Sequence, residues 1–331
     1  MIVRLIQKGG FKSRPFVLLI LIFFIFVPIG FSRDLGKIPG RLYYSLCISF
    51  VDSENGWIGG QFGKIWHTED GGKTWELQRS NTNENISDIY FVDKKNGWAV
   101  GYNGLILHTE DGGKTWVRQK SPLKYFWKAV YFKDKGHGWI AGEMGTVLGT
   151  DDGGKKWKVL ITGDDIMFHT ITFSPDGHGW ASGEFGVIYA SKDSKKWFLQ
   201  DNAIASQEYT VWSISYIGNH QVVASGISSL LLFKEDYNSS WKRIYALERL
   251  NGERSLFRIC KFRDKLVCIG QKGIYYSTSP YGPWKRAEME GRLPYGEWLY
   301  DLWNNGKRLW VLGIKGSIYF SDDGIKWKRL K

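Results

Sequence analysis

Four tryptophans, Trp57, Trp98, Trp139 and Trp180, follow one another at intervals of 41 residues, each opening a Trp-x-x-Gly tetrapeptide. So constant an interval leaves no room for insertions, and self-similarity at this period identifies an array of units that bury their cores against one another. The register continues at Val223-Ala224-Ser225-Gly226, Val267-Cys268-Ile269-Gly270 and Trp310-Val311-Leu312-Gly313. A second series, Trp75, Trp116, Trp157, Trp197, Trp241, Trp284 and Trp327, closes each unit, giving seven repeats of about 41 to 44 residues. In the second unit, alternation and turn residues predict strands at Ile86–Val92, Gly97–Gly101, Leu105–His108 and Thr115–Arg118. Seven such four-stranded units predict an all-β, seven-bladed β-propeller of antiparallel blades over residues 42–331. The 40 glycines and 8 prolines suit short strands and tight turns.

The long turn before each closing tryptophan reads Thr68-Glu69-Asp70-Gly71-Gly72-Lys73-Thr74-Trp75, and again Thr109 to Trp116 with Asp111 and Gly113. The third copy keeps Thr150, Asp152, Gly154 and Trp157; later copies decay to Ser191, Asp193 and Trp197, to Asp236 and Trp241, to Ser277 and Trp284, and to Ser321, Asp323 and Trp327. This is the Asp-box, or bacterial neuraminidase repeat. Its hydroxyl and carboxylate can accept hydrogen bonds from the turn's own N–H groups, and its glycines permit positive φ. Its indole is expected to wedge between its own sheet and the next, with its N–H on a carbonyl. No unit supplies the paired acids of a glycosidase or the terminal bidentate glutamate of a calcium loop.

Over nearly all of residues 42–331 the chain resembles the photosystem II stability and assembly factors among the Asp-box proteins. The resemblance implies a non-enzymatic, exported or lumenal propeller without cofactors that binds a membrane-associated protein during assembly.

Residues 1–32 differ in kind. Arg4, Lys8, Lys12 and Arg14 precede an uncharged apolar run from Phe16 to Val27, the layout of a signal peptide. The 17-residue stretch from Pro15 to Phe31 also meets the lower limit for a membrane anchor. Cleaved signal and retained anchor both stay open; residues 33–41 read as a linker. Either form would deliver the propeller to the periplasm, cell envelope or thylakoid lumen. Three cysteines, Cys47, Cys260 and Cys268, are too few for a disulfide framework. Cys260 and Cys268 flank a hairpin, so they are either neighbours or separately buried thiols.

A propeller places its strand-two-to-three turns and its blade-to-blade links on one face and its Asp-boxes on the other, which makes the first face the expected partner site. The turn tips have a Gly-x-x-Gly form in six units: Gln61-Phe62, Tyr102-Asn103, Glu143-Met144, Glu184-Phe185, Gln271-Lys272 and Ile314-Lys315. Phe62, Tyr102, Met144 and Phe185 would present apolar groups there, as contact surface or as turn filler. Charge is polarised: residues 33–200 carry 21 basic and 20 acidic side chains, residues 201–331 carry 20 and 13. Arg249, Arg254, Arg258, Lys272 and Lys315 form the expected basic side, and Glu143 and Glu184 mark the other. Such a face suits an acidic protein segment or a lipid surface; a merely solvated basic surface is the alternative. Nucleic acid is not expected for an exported chain, despite a pI near 9.4. A monomer is expected.

The competing class is a carbohydrate-active enzyme or lectin of the sialidase-like Asp-box group. A sialidase needs three arginines, a tyrosine nucleophile and an acid partner, and only Arg79 and Arg118 occur between residues 42 and 242. Phe257-Arg258-Ile259-Cys260 is similar to the Phe-Arg-Ile-Pro signature but follows the boxes and lacks the proline. His67 with His108, and His137 with His178, sit at repeat-equivalent positions, so their spacing reports the repeat and no metal site is expected.

Overall fold

In a computed structural model the chain divides into Met1–Asp34 and Leu35–Lys331. Described residues are 45–201, 209–252, 254–291, 293, 298–313 and 316–330; the expected signal or anchor, the linker and Lys315 lie outside them. Six four-stranded sheets and one five-stranded sheet follow in chain order as blades 1 to 7. Blade 2 is typical: Ile86–Phe91 pairs antiparallel with Gly97–Gly101, which pairs with Ile106–Thr109, which pairs with Val117–Arg118. The predicted strands fall within a residue or two of these bounds.

Neighbouring blades share one core per interface; flat rings meet in it between blades 1 and 2, 2 and 3, 3 and 4, and 7 and 1, whereas between blades 5 and 6 and between 6 and 7 it is mostly aliphatic. Phe91 of blade 2 stacks on Trp57 of blade 1 at 3.5 Å, and Trp57 stacks on His67 at 4.5 Å. Phe132 on Trp98 on His108 repeats that arrangement at the next interface. The histidines are thus core rings, and burial lowers the pKa of both. The glycine before each of these tryptophans makes room for the blade's own phenylalanine: a Cβ on Gly97 would lie 2.4 Å from the Phe91 ring.

Each Asp-box tryptophan lies in the core shared with the preceding blade. Trp116 packs with Trp57 and Ile65 of blade 1, and Trp75 with Trp310 and Leu312 of blade 7. The expected wedge toward the next blade is therefore corrected. The contact with the next blade runs the other way: Trp57 Nε1 of blade 1 donates to Gly112 O of blade 2 at 3.0 Å, with Gln78 Nε2 on the same carbonyl at 2.8 Å. Trp98 and Gln119 clamp Gly153 O identically.

Among the described residues no strand is exchanged between blades 7 and 1. Phe50 stacks on Trp310 at 4.0 Å and Trp303 Nε1 donates to Phe50 O at 2.7 Å, so blades 7 and 1 meet through the same ring stack as blades 1 and 2 and blades 2 and 3. The fifth strand of blade 7 is Glu288–Met289, which adds in parallel to Lys326–Arg329 at the outer edge. Cys260 and Cys268 are free thiols on opposite faces of their hairpin, because Cys260 pairs with Val267 and Cys268 with Ile259.

Candidate functional site

The two faces of the ring are built by different turns. Asp-box turns lie against the strand-one-to-two turns, as in Gly71 N to Glu54 O and Gly112 N to Lys95 O. In the full motif Thr68 Oγ1 donates to Asp70 Oδ1 at 2.8 Å and accepts from Gly72 N at 2.9 Å, while Asp70 Oδ1 accepts from Thr74 N at 2.9 Å. Thr109 and Asp111, then Thr150 and Asp152, repeat this network about Gly113 and Gly154. These bonds hold the Asp70 carboxyl down near 2. Ser191 with Asp193, and Ser321 with Asp323, keep the hydroxyl-to-carboxylate bond, while Asp236 retains only its turn N–H partners. The indole N–H finds Gly72 O from Trp75, but Gln78 Oε1 from Trp116 and Gln119 Oε1 from Trp157. In the decayed copies Trp284 reaches Pro280 O, whereas Trp197, Trp241 and Trp327 leave it unpartnered. The consensus aspartate of each box, Asp70, Asp111, Asp152, Asp193, Asp236 and Asp323, is thus committed to its turn.

On the opposite face the strand-two-to-three turns bond to the blade-linking segments, as in Gly104 N to Tyr125 O and Gly186 N to Tyr209 O. Each Gly-x-x-Gly tip of blades 1 to 4 is a single tight turn whose second residue is left-handed: Phe62 (φ 57), Asn103 (φ 53), Met144 (φ 57) and Phe185 (φ 54). Asparagine tolerates that conformation; bulky residues rarely adopt it. Phe62 and Phe185 are nonetheless 67% and 53% exposed. Tyr102, one position earlier, is also exposed and stacks on Phe126 at 4.1 Å; Met144 is half-buried.

Glu143 and Glu184 differ from the expectation. Each carboxylate accepts the N–H of the residue opening its own blade, Phe126 and Met167, at 2.9 Å, and so anchors the inner strand. Of the basic group, Arg249 and Arg254 are exposed and Lys272 is half-buried. Arg258 is not on the face. It lies on the inner strand Leu256–Phe262, where its Nε bonds the buried Asp301 Oδ1 at 2.9 Å.

Sequence reading missed the constellation around Arg258. Every inner strand carries a β-bulge at an equivalent position, Leu46, Ser87, Lys128, His169, Trp212, Phe257 and Tyr300, and the strand Val211–Gly218 has a second register shift at Ile217. A bulge re-aims a side chain, and here five meet about the axis. His169 lies 4.4 Å from Trp212, Phe257 bridges Trp212 and Tyr300 at 6.3 and 5.7 Å, and Lys128 of blade 3 reaches Tyr300 OH of blade 7 at 3.1 Å. Asp88 and Asp301 close the unpaired inner edges by accepting Val130 N and Ile48 N of the following blades at 2.8 and 3.0 Å. Burial, reinforced by Asp301, raises the Asp88 carboxyl to about 7, and burial keeps His169 neutral. Arg258 is the single arginine on the seven inner strands, so the three-arginine clamp of a sialidase is absent among the described residues. These residues also contain no cluster of three metal-ligating side chains.

The family model described as Photosynthesis system II assembly factor YCF48 matches residues 37–120, 75–166 and 119–194, in blades 1 to 4. The chain is a BNR-repeat propeller whose first four blades are similar to that family. Among solved structures, YCF48 bound to D1 peptide is 20% identical, with 85% of this chain and 94% of that one covered at a TM-score of 0.69. YCF48 from Cyanidioschyzon merolae is 20% identical over 86% and 96%, with a TM-score of 0.67. An ancestral GH74 enzyme is 11% identical, with a TM-score of 0.72, but this chain spans 47% of its length. At these identities the likeness shows the fold. No curated protein matches the sequence.

Proposed function

We propose that this BNR-repeat propeller is a non-catalytic protein-binding scaffold, delivered outside the cytoplasm by its N-terminal segment as cleaved signal or retained anchor, whose turn-tip face receives an extended segment of a membrane-associated protein. The observation that carries the reading is the pair Phe62 and Phe185, bulky, exposed and left-handed where asparagine fits with less strain. Strain of this kind gathers at binding sites. The family likeness and the relative bound to D1 peptide support a polypeptide as the ligand class. Arg249, Arg254 and Lys272 supply positive charge for an acidic stretch of it. The catalytic alternative has weaker support: the consensus Asp-box aspartates bond their own turns, Asp301 pairs with Arg258, and Asp88 bonds backbone N–H groups.

The test is affinity capture from solubilised membranes with the full chain and with Phe62→Asp/Phe185→Asp. The double variant should lose at least about tenfold of the captured partner, since a buried aromatic anchor carries about 2 kcal/mol or more. Equal capture by both, or turnover of a sialoside or glucan by the wild type, would reject the reading.

A further inference from the structure

The seven bulge positions carry seven different residues, although the repeat around them is nearly uniform. A position serving the fold alone would repeat one residue type, as the closing tryptophans do. The hydrogen-bonding groups that converge there are also incompletely satisfied. The Lys128 ammonium has three donors; its hydrogen bond goes to the Tyr300 hydroxyl, and no carboxylate of the described residues is hydrogen-bonded to it. His169 is 8% exposed with both ring nitrogens unpartnered, and the buried Nε1 of Trp212 has no acceptor.

The nearby carboxylate oxygens are engaged: those of Asp88 by Ile89 N and Val130 N, those of Asp301 by Arg258, Leu302 N and Ile48 N. The Lys128 ammonium, half-buried, is offset by the Asp88 carboxyl without bonding it, and an acceptor bearing negative charge would meet its free donors together with the unpartnered ring N–H groups. Phe257 and Tyr300 form an aromatic wall beside these donors. Trp298, stacked on Phe257 and 39% exposed, leads from the wall to solvent.

We propose that the mouth of the central channel binds a small aromatic carboxylate, its oxygens on Lys128, His169 and Trp212 and its ring against Phe257 and Tyr300. This site is independent of the turn-tip reading. Fluorine NMR of the full chain with 4-fluorobenzoate should show saturable line broadening, and 4-fluorobenzamide, which lacks the charge, should bind about ten- to a hundredfold more weakly. Lys128→Met should weaken 4-fluorobenzoate by a similar factor, and Lys128→Arg should largely restore it. Trp212→Phe, which keeps the ring face and removes one donor, should weaken binding several-fold. Absence of saturable 4-fluorobenzoate binding, equal binding of the amide, or unchanged binding in folded Lys128→Met would overturn the proposal. Should Lys128→Met fail to fold, the contrast between acid and amide on the wild type decides it.

Discussion

At φ 57 a phenylalanine side chain crowds its own carbonyl, at a cost of about 1–2 kcal/mol relative to the right-handed conformation. Asn103 fills the same place in blade 2 with a short polar side chain that eases the conflict. Phe62→Asn should therefore leave stability unchanged or raise it by up to about 1 kcal/mol, while capture of the partner falls. Thermal melts run beside binding assays would show the two moving apart; a lowered melt would mean that Phe62 serves the fold. A second test at this scale concerns Asp88, with its carboxyl near 7 in the folded chain and about 3.9 when unfolded. Between about pH 4 and 7 the unfolded chain releases this proton while the folded chain keeps it, so stability contributed by Asp88 falls as pH rises through that window. Asp88→Asn removes the dependence, so its melting temperature relative to wild type should climb from pH 5 to pH 8. A difference that stays flat would contradict the assigned shift. Asp70, held near 2, has the opposite sign: its contribution is present above about pH 4 and is lost as pH falls toward 2.

Blade interfaces place the Asp-box in a relay rather than a self-contained turn. Gln78 accepts from Trp116 Nε1 and donates to Gly112 O, both in the following blade. Gln78→Leu should cost about 1–3 kcal/mol, because it strands a buried indole N–H, as read from a denaturant midpoint; a shift under a few tenths would mean that the indole finds another acceptor. The blade count, the strands and the Asp-box contacts were legible because a fixed period and a turn motif leave few folds open. Periodicity reports spacing and not handedness, so the side on which each closing tryptophan packs had to come from the structure. Arg258 was missorted for a related reason. Charge counting placed it on a surface patch, but the bulge at Phe257 inserts one residue and changes which side chains meet the axis. Glu143 and Glu184 read as face charges because their backbone partners lie 17 residues away, across the blade.

The ring is held by one packed core per interface, and among the described residues a continuous segment pairs with two neighbouring sheets between blades 6 and 7, where Lys285–Arg286 joins blade 6 and Glu288–Met289 joins blade 7. Trp310→Ala at the closure and Trp98→Ala within the array each remove an indole stacked on the following blade's phenylalanine, and each should cost about 3–5 kcal/mol. Comparable losses in calorimetry fit a ring closed by ordinary packing; a far larger loss for Trp310→Ala would point to a special closure. A ring of this kind offers its partner two faces of different character, one of committed Asp-box carboxylates and one of strained, exposed aromatics. Hydrogen exchange on the complex with the captured partner discriminates them directly. The account predicts slowed exchange at Gln61–Gly63 and Glu184–Gly186, with the amides of Gly72, Gly113 and Gly154 unchanged; slowing confined to the Asp-box amides would contradict it.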